Sequence, residues 1–250
     1  MNKSLEEEVK EVFKDVEIDT EMDKRDHIIS EEMEELIERI EKTDKSYRLS
    51  LDDPKLYLKI SSLLLKNGQI KRAEDFAKKA LKIDKSYEGF MLRGNTLYEY
   101  RDYKGAIGYY DEALKYRQDK DTYLHKAKAL EKRDMDERAL ESIKKALKID
   151  MDPDLLAMYA DMLVDLDRID EAEKFYKKAE EIDGKSNYKR DKVDELLEKA
   201  ENQSIPEKFD KILQLDKECK EAWIAKADKL WNLGRENDAI GCLEQADEIL

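Results

Sequence analysis

The sequence predicts an all-α fold, an array of stacked antiparallel helix pairs. Three observations predict it. The stretch Ala73-Glu-Asp-Phe-Ala-Lys-Lys-Ala-Leu-Lys-Ile-Asp84 returns from Ala106, Ala139 and Ala172, a constant step of 33 residues, and a last copy begins at Ala239. A fixed period of this size marks a stacked repeat. Small and large side chains recur in phase with that step, as two closely packed helices require. Charged residues make up 44% and hydrophobic ones 40% of 250 residues, too apolar for a disordered chain and too polar for one large core. An elongated array has more surface per residue than a sphere and fits that balance.

Residues 1–53 carry 19 acidic and 9 basic side chains, which accounts for −10 of the net −14. Leu5, Val9, Val12, Phe13 and Val16 follow helical spacing, and so do Ile29, Met33, Leu36, Ile37 and Ile40. Ile18 to His27 between them reads as a polar linker. Asp44-Lys-Ser-Tyr47 repeats in Asp84-Lys-Ser-Tyr87, so a divergent leading repeat is expected here. The acidic arm is either a solvated capping unit, the favoured reading, or a docking tail.

Asp53-Pro54 opens the first clear unit, with Asp as cap and Pro at the first helical position. Asp152-Pro153 repeats the device, and Pro206 also stands near a helix start. Gly68 and Gly234 fall at the corner between the two helices of their units, where a left-handed residue closes a helix. In the first unit the helices are expected near 54–67 and 71–84. Later units follow near 87–116, 120–150, 153–183, 187–216 and 220–249. Four clear units thus span 54–186, and 187–250 holds one degenerate and one clear unit.

The repeated positions resemble the tetratricopeptide repeat. The large early residue is Tyr57, Phe90, Tyr123, Leu156 or Trp223, and the small residue four later is Ser61, Gly94, Ala127, Ala160 or Ala227. Leu64, Leu97, Leu130, Leu163 and Leu230 follow. The second helices supply Ala73, Ala106, Ala139, Ala172 and Ala239, then Ala80, Ala113, Ala146, Ala179 and Ala246. The resemblance covers roughly 54–250, and 1–53 by analogy. It implies an alpha-alpha superhelix of six or seven units whose first helices line a concave groove. The step of 33 is one short of the family's 34, and most units lack its closing proline. The fifth unit departs most, with Lys189 where a large apolar residue belongs and Ile205 where Ala belongs.

Chemistry has little support. His27 and His125 are the two histidines, and no phosphate loop, paired-cysteine metal site or Gly-x-Ser-x-Gly elbow occurs. No catalysis, cofactor or metal is expected. The net −14 argues against nucleic acid. Apolar runs such as Leu63-Leu64-Leu65 are too short to span a bilayer. Cys219 and Cys242 form no CxxC, so reduced thiols in a cytoplasmic protein are expected, with a disulfide between the two left open by the sequence.

The resemblance implies a non-catalytic interaction scaffold that holds a protein or peptide partner in the groove, the alternative being a structural subunit that self-associates or packs permanently into a larger complex. Helical spacing places Leu58 in the groove, then Met91, Asn95 and Tyr98, then His125 and Lys128, then Met158 and Asp161, with Ile224 and Trp231 in the last unit. Neighbouring repeats or the N-terminal arm are the alternative occupants of that face. Asn95 stands where similar proteins often bond a peptide backbone. The family's carboxylate clamp is not matched: one window gives Leu58, Ser62, Leu92, Asp121 and His125, the next Met91, Asn95, His125, Asp154 and Met158. Acidic chaperone tails are therefore not expected to bind. His125 is either a pH-sensitive groove residue or, preferably, a half-buried group packed on Tyr98. Trp231 either anchors a ligand or fills a gap beside the degenerate repeat. Leu243, Ile249 and Leu250 are expected to be partly exposed, which points to a shortened chain or to a homo-oligomer formed through the C-terminal end.

Overall fold

The computed structural model describes residues 5–16, 29–45, 53–184, 188–201 and 205–249. The linker read at Ile18–His27, the Ser46-Tyr47 end of the Asp-Lys-Ser-Tyr match, and Leu250 lie outside them. The described residues form fourteen α-helices and no strand. They gather into two units, Met1–Ile149 and Asp150–Leu250.

The first unit starts with α1 (Leu5–Val12) and α2 (Glu31–Lys45). Three helix pairs follow: α3 (Pro54–Lys66) with α4 (Ile70–Ile83), α5 (Tyr87–Glu99) with α6 (Tyr103–Tyr116), and α7 (Lys120–Glu131) with α8 (Asp136–Ile149). Each pair packs on itself, and α4 packs on α5 as α6 does on α7. Asp53 Oδ1 accepts from Lys55 N at 3.0 Å and Leu56 N at 3.2 Å, while Pro54 takes the position that needs no donor.

Val9, Phe13, Leu36, Ile37 and Ile40 of the arm join Leu56, Tyr57, Leu58 and Ile60 in one buried cluster. Burying such side chains stabilises by about 1.5–3 kcal/mol each relative to exposure. Polar groups fix the seam. Lys59 Nζ donates to the carbonyls of Phe13 at 2.9 Å and Lys14 at 3.1 Å. Arg72 on α4 pairs with Glu41 of α2 at 2.8 Å and also with Glu34. The small positions behave as close packing demands. Ser61 is buried and donates to the Ala73 carbonyl at 2.8 Å. A Cβ on Gly94 would stand 2.5 Å from Tyr110 Cε1.

The second unit holds α9 (Pro153–Asp165) with α10 (Ile169–Asp183), α11 (Tyr188–Glu201) with α12 (Lys208–Leu215), and α13 (Lys220–Asn232) with α14 (Glu236–Glu248). Asp152 caps α9 as Asp53 caps α3, accepting from Asp154 N at 2.9 Å. The α11–α12 pair is the divergent one. Its second helix has only 8 residues and begins two positions after Pro206, which sits in the preceding turn rather than in the helix. Phe209, Ile212, Leu213 and Leu215 are nonetheless buried.

One backbone device closes the first helix of five pairs. The amides of Gln69, Asp102, Met135, Arg168 and Arg235 donate to the carbonyls of Leu64, Leu97, Leu130, Leu163 and Leu230 at 2.8–3.0 Å. This six-to-one bond belongs to a helix that ends on a left-handed residue. That residue is Gly68 (φ 73°) and Gly234 (φ 72°), but it is Arg101 (φ 62°), Asp134 (φ 54°) and Asp167 (φ 59°) in the others.

Candidate functional site

In the first unit, the expected groove residues fall into two groups. Leu58 and Met91 are buried: Leu58 lies in the cluster shared with the arm, and Met91 Sδ accepts from Thr122 Oγ1 of α7 at 3.2 Å. Asn95 is buried too, with its Oδ1 accepting from Tyr110 Oη at 2.9 Å. All three serve packing, and of them only Leu58 also borders a cleft. Tyr98 is half-buried, edge-on to Tyr103 at 5.3 Å. Lys128 is exposed. His125 is half-buried, but it stacks on Tyr110 at 5.8 Å rather than on Tyr98. Burial, then the Lys128 charge, pushes its imidazole down to about 4. It is therefore neutral near pH 7.

In the second unit Met158 and Asp161 are half-buried and Trp231 is 53% exposed. Trp231 fills no gap. The other indole, Trp223, turns in and donates Nε1 to the Lys217 carbonyl at 3.0 Å. Asp161 Oδ1 accepts from Tyr176 Oη at 2.6 Å. Burial raises the Asp161 carboxyl, with the Tyr176 bond acting against it. The exposed apolar side chains of this unit include Ile224, Leu233, Ile240 and Leu243, all on or beside α13 and α14.

Each unit has an open cleft. One of about 730 Å³ is lined by Lys14, Val16, Leu58, Lys59, Ser86 and Glu88 among others. The second, of about 590 Å³, lies against Asp167, Leu196, Ala200, Ile205, Lys208 and Lys211. Among the described residues no group of His, Cys, Asp and Glu could hold a metal ion. Cys219 and Cys242 are free and buried, and burial pushes both thiols up. Among the described residues no helix is long and apolar enough to cross a membrane.

Sequence reasoning missed the bond that joins the two helices of a repeat. Tyr110 and Tyr176 are 66 residues apart, and so are their partners Asn95 and Asp161. The coincidence of a phenol and an acceptor at twice the repeat step was the available signal.

The family model described as "Tetratricopeptide repeat" matches residues 54–87 and 153–186, the α3–α4 and α9–α10 pairs. No curated protein matches the chain. Among solved structures, the MamA RS-1 ArsTM double mutant aligns with TM-score 0.52 at 20% identity, over 60% of this chain and 84% of that one. MamA MSR-1 aligns with TM-score 0.51 at 17% identity, over 61% and 86%. YrrB, a TPR protein with an unusual peptide-binding site, aligns with TM-score 0.45 at 17% identity, over 84% and 91%. The two MamA likenesses bear on the fold alone. The α3–α4 and α9–α10 pairs are tetratricopeptide repeats, and α5–α6, α7–α8 and α13–α14 share their corner bond, so the chain carries tetratricopeptide repeats.

Proposed function

We propose that the chain is a non-catalytic scaffold that holds a peptide segment or partner protein against the exposed faces of its first helices. Tetratricopeptide repeats are protein-interaction modules, and this reading applies that role to named residues. One observation carries it. Ile224 and Trp231 stand two turns apart on α13, 48% and 53% exposed. Large apolar side chains repeated along a solvated helix mark a contact surface, and tryptophan is the side chain most enriched at binding hot spots. In the first unit Tyr98, His125 and Lys128 remain for a partner, and in the second Met158 and Asp161 do. Met91 and Asn95, both fully buried, take no part. The reading places the protein in the cytoplasm, where Cys219 and Cys242 stay thiols.

Affinity capture from a lysate of the source tests it, with the wild type beside Tyr98→Ala/Met158→Ala and Trp231→Ala. Reduced recovery of a specific protein by one variant is expected. Recovery of the same proteins in equal amount by all three baits removes the proposal.

A second reading is self-association through the C-terminal pair, favoured by the 42% exposure of Leu243. Sedimentation over a concentration series separates it from the first.

A further inference from the structure

Each second helix of the first unit ends on an exposed apolar side chain. Ile83, Tyr116 and Ile149 close α4, α6 and α8 one repeat step apart, and they are 43%, 52% and 49% exposed. A lysine precedes each of them, Lys82, Lys115 or Lys148, and all three lysines are exposed. The helices of a pair run antiparallel, so α4, α6 and α8 point the same way and their last turns lie along one edge of the stack. Helices precede and follow both α4 and α6, so Ile83 and Tyr116 are not bared by an end of the chain.

Charge is sorted along the chain. Residues 54–149 carry 23 basic and 15 acidic side chains, a balance of +8, whereas 150–250 carry 16 and 28, a balance of −12. The three last turns with the residues after them, 78–85, 111–118 and 144–149, hold nine Lys and Arg against Asp84, Asp111 and Glu112, with Asp150 next in sequence. Glu88 and Asp119 also reach this edge, both towards Arg117, at 4.0 and 3.9 Å. Cations thus outnumber carboxylates there, nine to six. Asp111 and Glu112 are taken by Lys126 and Lys115. Among the described residues Lys82, Lys85, Lys144 and Lys148 form no ion pair. A lysine in a last turn also eases the helix dipole, and Tyr116 rests on Phe90 at 5.4 Å. Neither requires the pattern, because α10 ends Glu181-Ile182 with no basic residue in its last turn and Ile182 49% exposed.

We propose that this edge docks an acidic segment of another protein in extended form, with apolar residues set among its carboxylates. Leucine-like side chains would cover Ile83, Tyr116 and Ile149, and carboxylates would reach Lys82, Lys144 and Lys148. An extended chain suits the row, because its contacts recur once per repeat across the stack rather than along one helix. A phosphate backbone fits poorly. Two of the three anchors are isoleucine, which offers no stacking, and the one arginine of the row lies over Tyr87 at 3.6 Å and faces two carboxylates. An anionic lipid surface would meet Asp84 and Asp150 directly beside the isoleucines, charges that it repels. The described part of the N-terminal arm meets α4 at Arg72, in its first turn, the end opposite Ile83. The scaffold reading concerns the first helices, so this edge goes beyond it and each can fail alone.

A fluorescein-labelled peptide of about 18 residues, Glu-Leu-Glu repeated, long enough when extended to cross three repeats, is titrated with the full chain and followed by anisotropy. Its controls carry Ser for Leu or Lys for Glu. Saturable binding of the Glu/Leu peptide alone is expected, weakening ~10-fold between about 50 and about 300 mM salt. Lys82→Glu/Lys148→Glu should lose that binding at an unchanged melting temperature and gain the Lys/Leu peptide, a gain that misfolding does not imitate. Lys104→Glu/Lys132→Glu, the same charge change away from the row, should bind as the wild type does. Ile83→Ser/Ile149→Ser should weaken binding about 5-fold or more. No binding, equal binding of the serine peptide, or equal loss in both lysine variants overturns the proposal. Anionic vesicles that take up the protein through Lys82 and Lys148 while the peptide stays free overturn it in favour of lipid. An oligomer in sedimentation that Lys82→Glu/Lys148→Glu disperses overturns it in favour of a second copy. Capture through Tyr98 and Met158 decides the scaffold reading separately.

Discussion

Tyr176 donates its phenol to Asp161 across 2.6 Å and so ties the second helix of its repeat to the first. Tyr110 makes the same tie to Asn95 at 2.9 Å. The acceptor is a carboxyl oxygen in one repeat and an amide oxygen in the other, so the bond does not require a carboxylate. Tyr176→Phe should cost about 1–2 kcal/mol by leaving a half-buried acceptor without its donor. Asp161→Asn should cost less than about 0.5 kcal/mol, because the amide oxygen replaces the acceptor. Urea unfolding of both variants and their combination measures the coupling. Equal losses from the two single changes would mean that the bond is not the source of the effect.

The corner residue supplies a matched pair. Gly68 and Arg101 occupy one repeat position at φ 73° and 62°. A Cβ on Gly68 would meet nothing within 4 Å, so its requirement is conformational and not steric. Gly68→Ala should destabilise by about 1 kcal/mol, and Arg101→Gly should stabilise by a similar amount. Melting temperatures shifted in opposite directions check this. A shift of the same sign in both would show that side-chain contacts, rather than backbone strain, govern the corner.

Gly94 is small for the opposite reason. Its missing Cβ is the space taken by the Tyr110 ring, 2.5 Å from the point where that carbon would lie. Gly94→Ala should cost about 1–3 kcal/mol by displacing the ring from Asn95 and His125. Gly108, on the same pair with nothing within 4 Å, should gain about 0.5–1 kcal/mol on change to Ala. Denaturant midpoints of the two variants should therefore move apart.

His125 predicts a pH slope. Its pKa is about 4 in the fold against 6.5 for the free side chain. Between those values the unfolded chain binds the proton and the folded one does not. Stability from this group is thus full above pH 6.5 and falls as pH drops towards 4. The loss is on the order of 2–3 kcal/mol. His125→Phe keeps an aromatic ring against Tyr110 and removes the titration. The difference in unfolding free energy between wild type and variant, measured from pH 7 to 4.5, should shrink by that amount. A constant difference would show that the imidazole is not desolvated.

Periodicity carried the architecture. The alanines and leucines at the 33-residue step placed the helices to within a residue or so, as with 54–67 against Pro54–Lys66. The Asp-Pro starts and the glycine corners were legible because their chemistry allows few other roles. Helical spacing gave a direction for Leu58, Met91 and Asn95 but not what lies over them. The arm covers Leu58 and α7 meets Met91, and both depend on contacts outside the repeat. Tyr110 takes Asn95 and also stacks under His125, a place that the wheel assigned to Tyr98. Of the other left-handed corners, Asp134 and Asp167 carry only the modest left-handed preference of aspartate, and Arg101 carries none. There the six-to-one backbone bond imposes the geometry on whatever side chain is present.

The two sulfurs have a use apart from packing. Cys219 and Cys242 are the chain's only cysteines, one at the start of α13 and one within α14, and burial keeps both protonated and slow to react. The speed with which an alkylating reagent reaches these atoms therefore clocks the opening of the α13–α14 pair, with no probe attached.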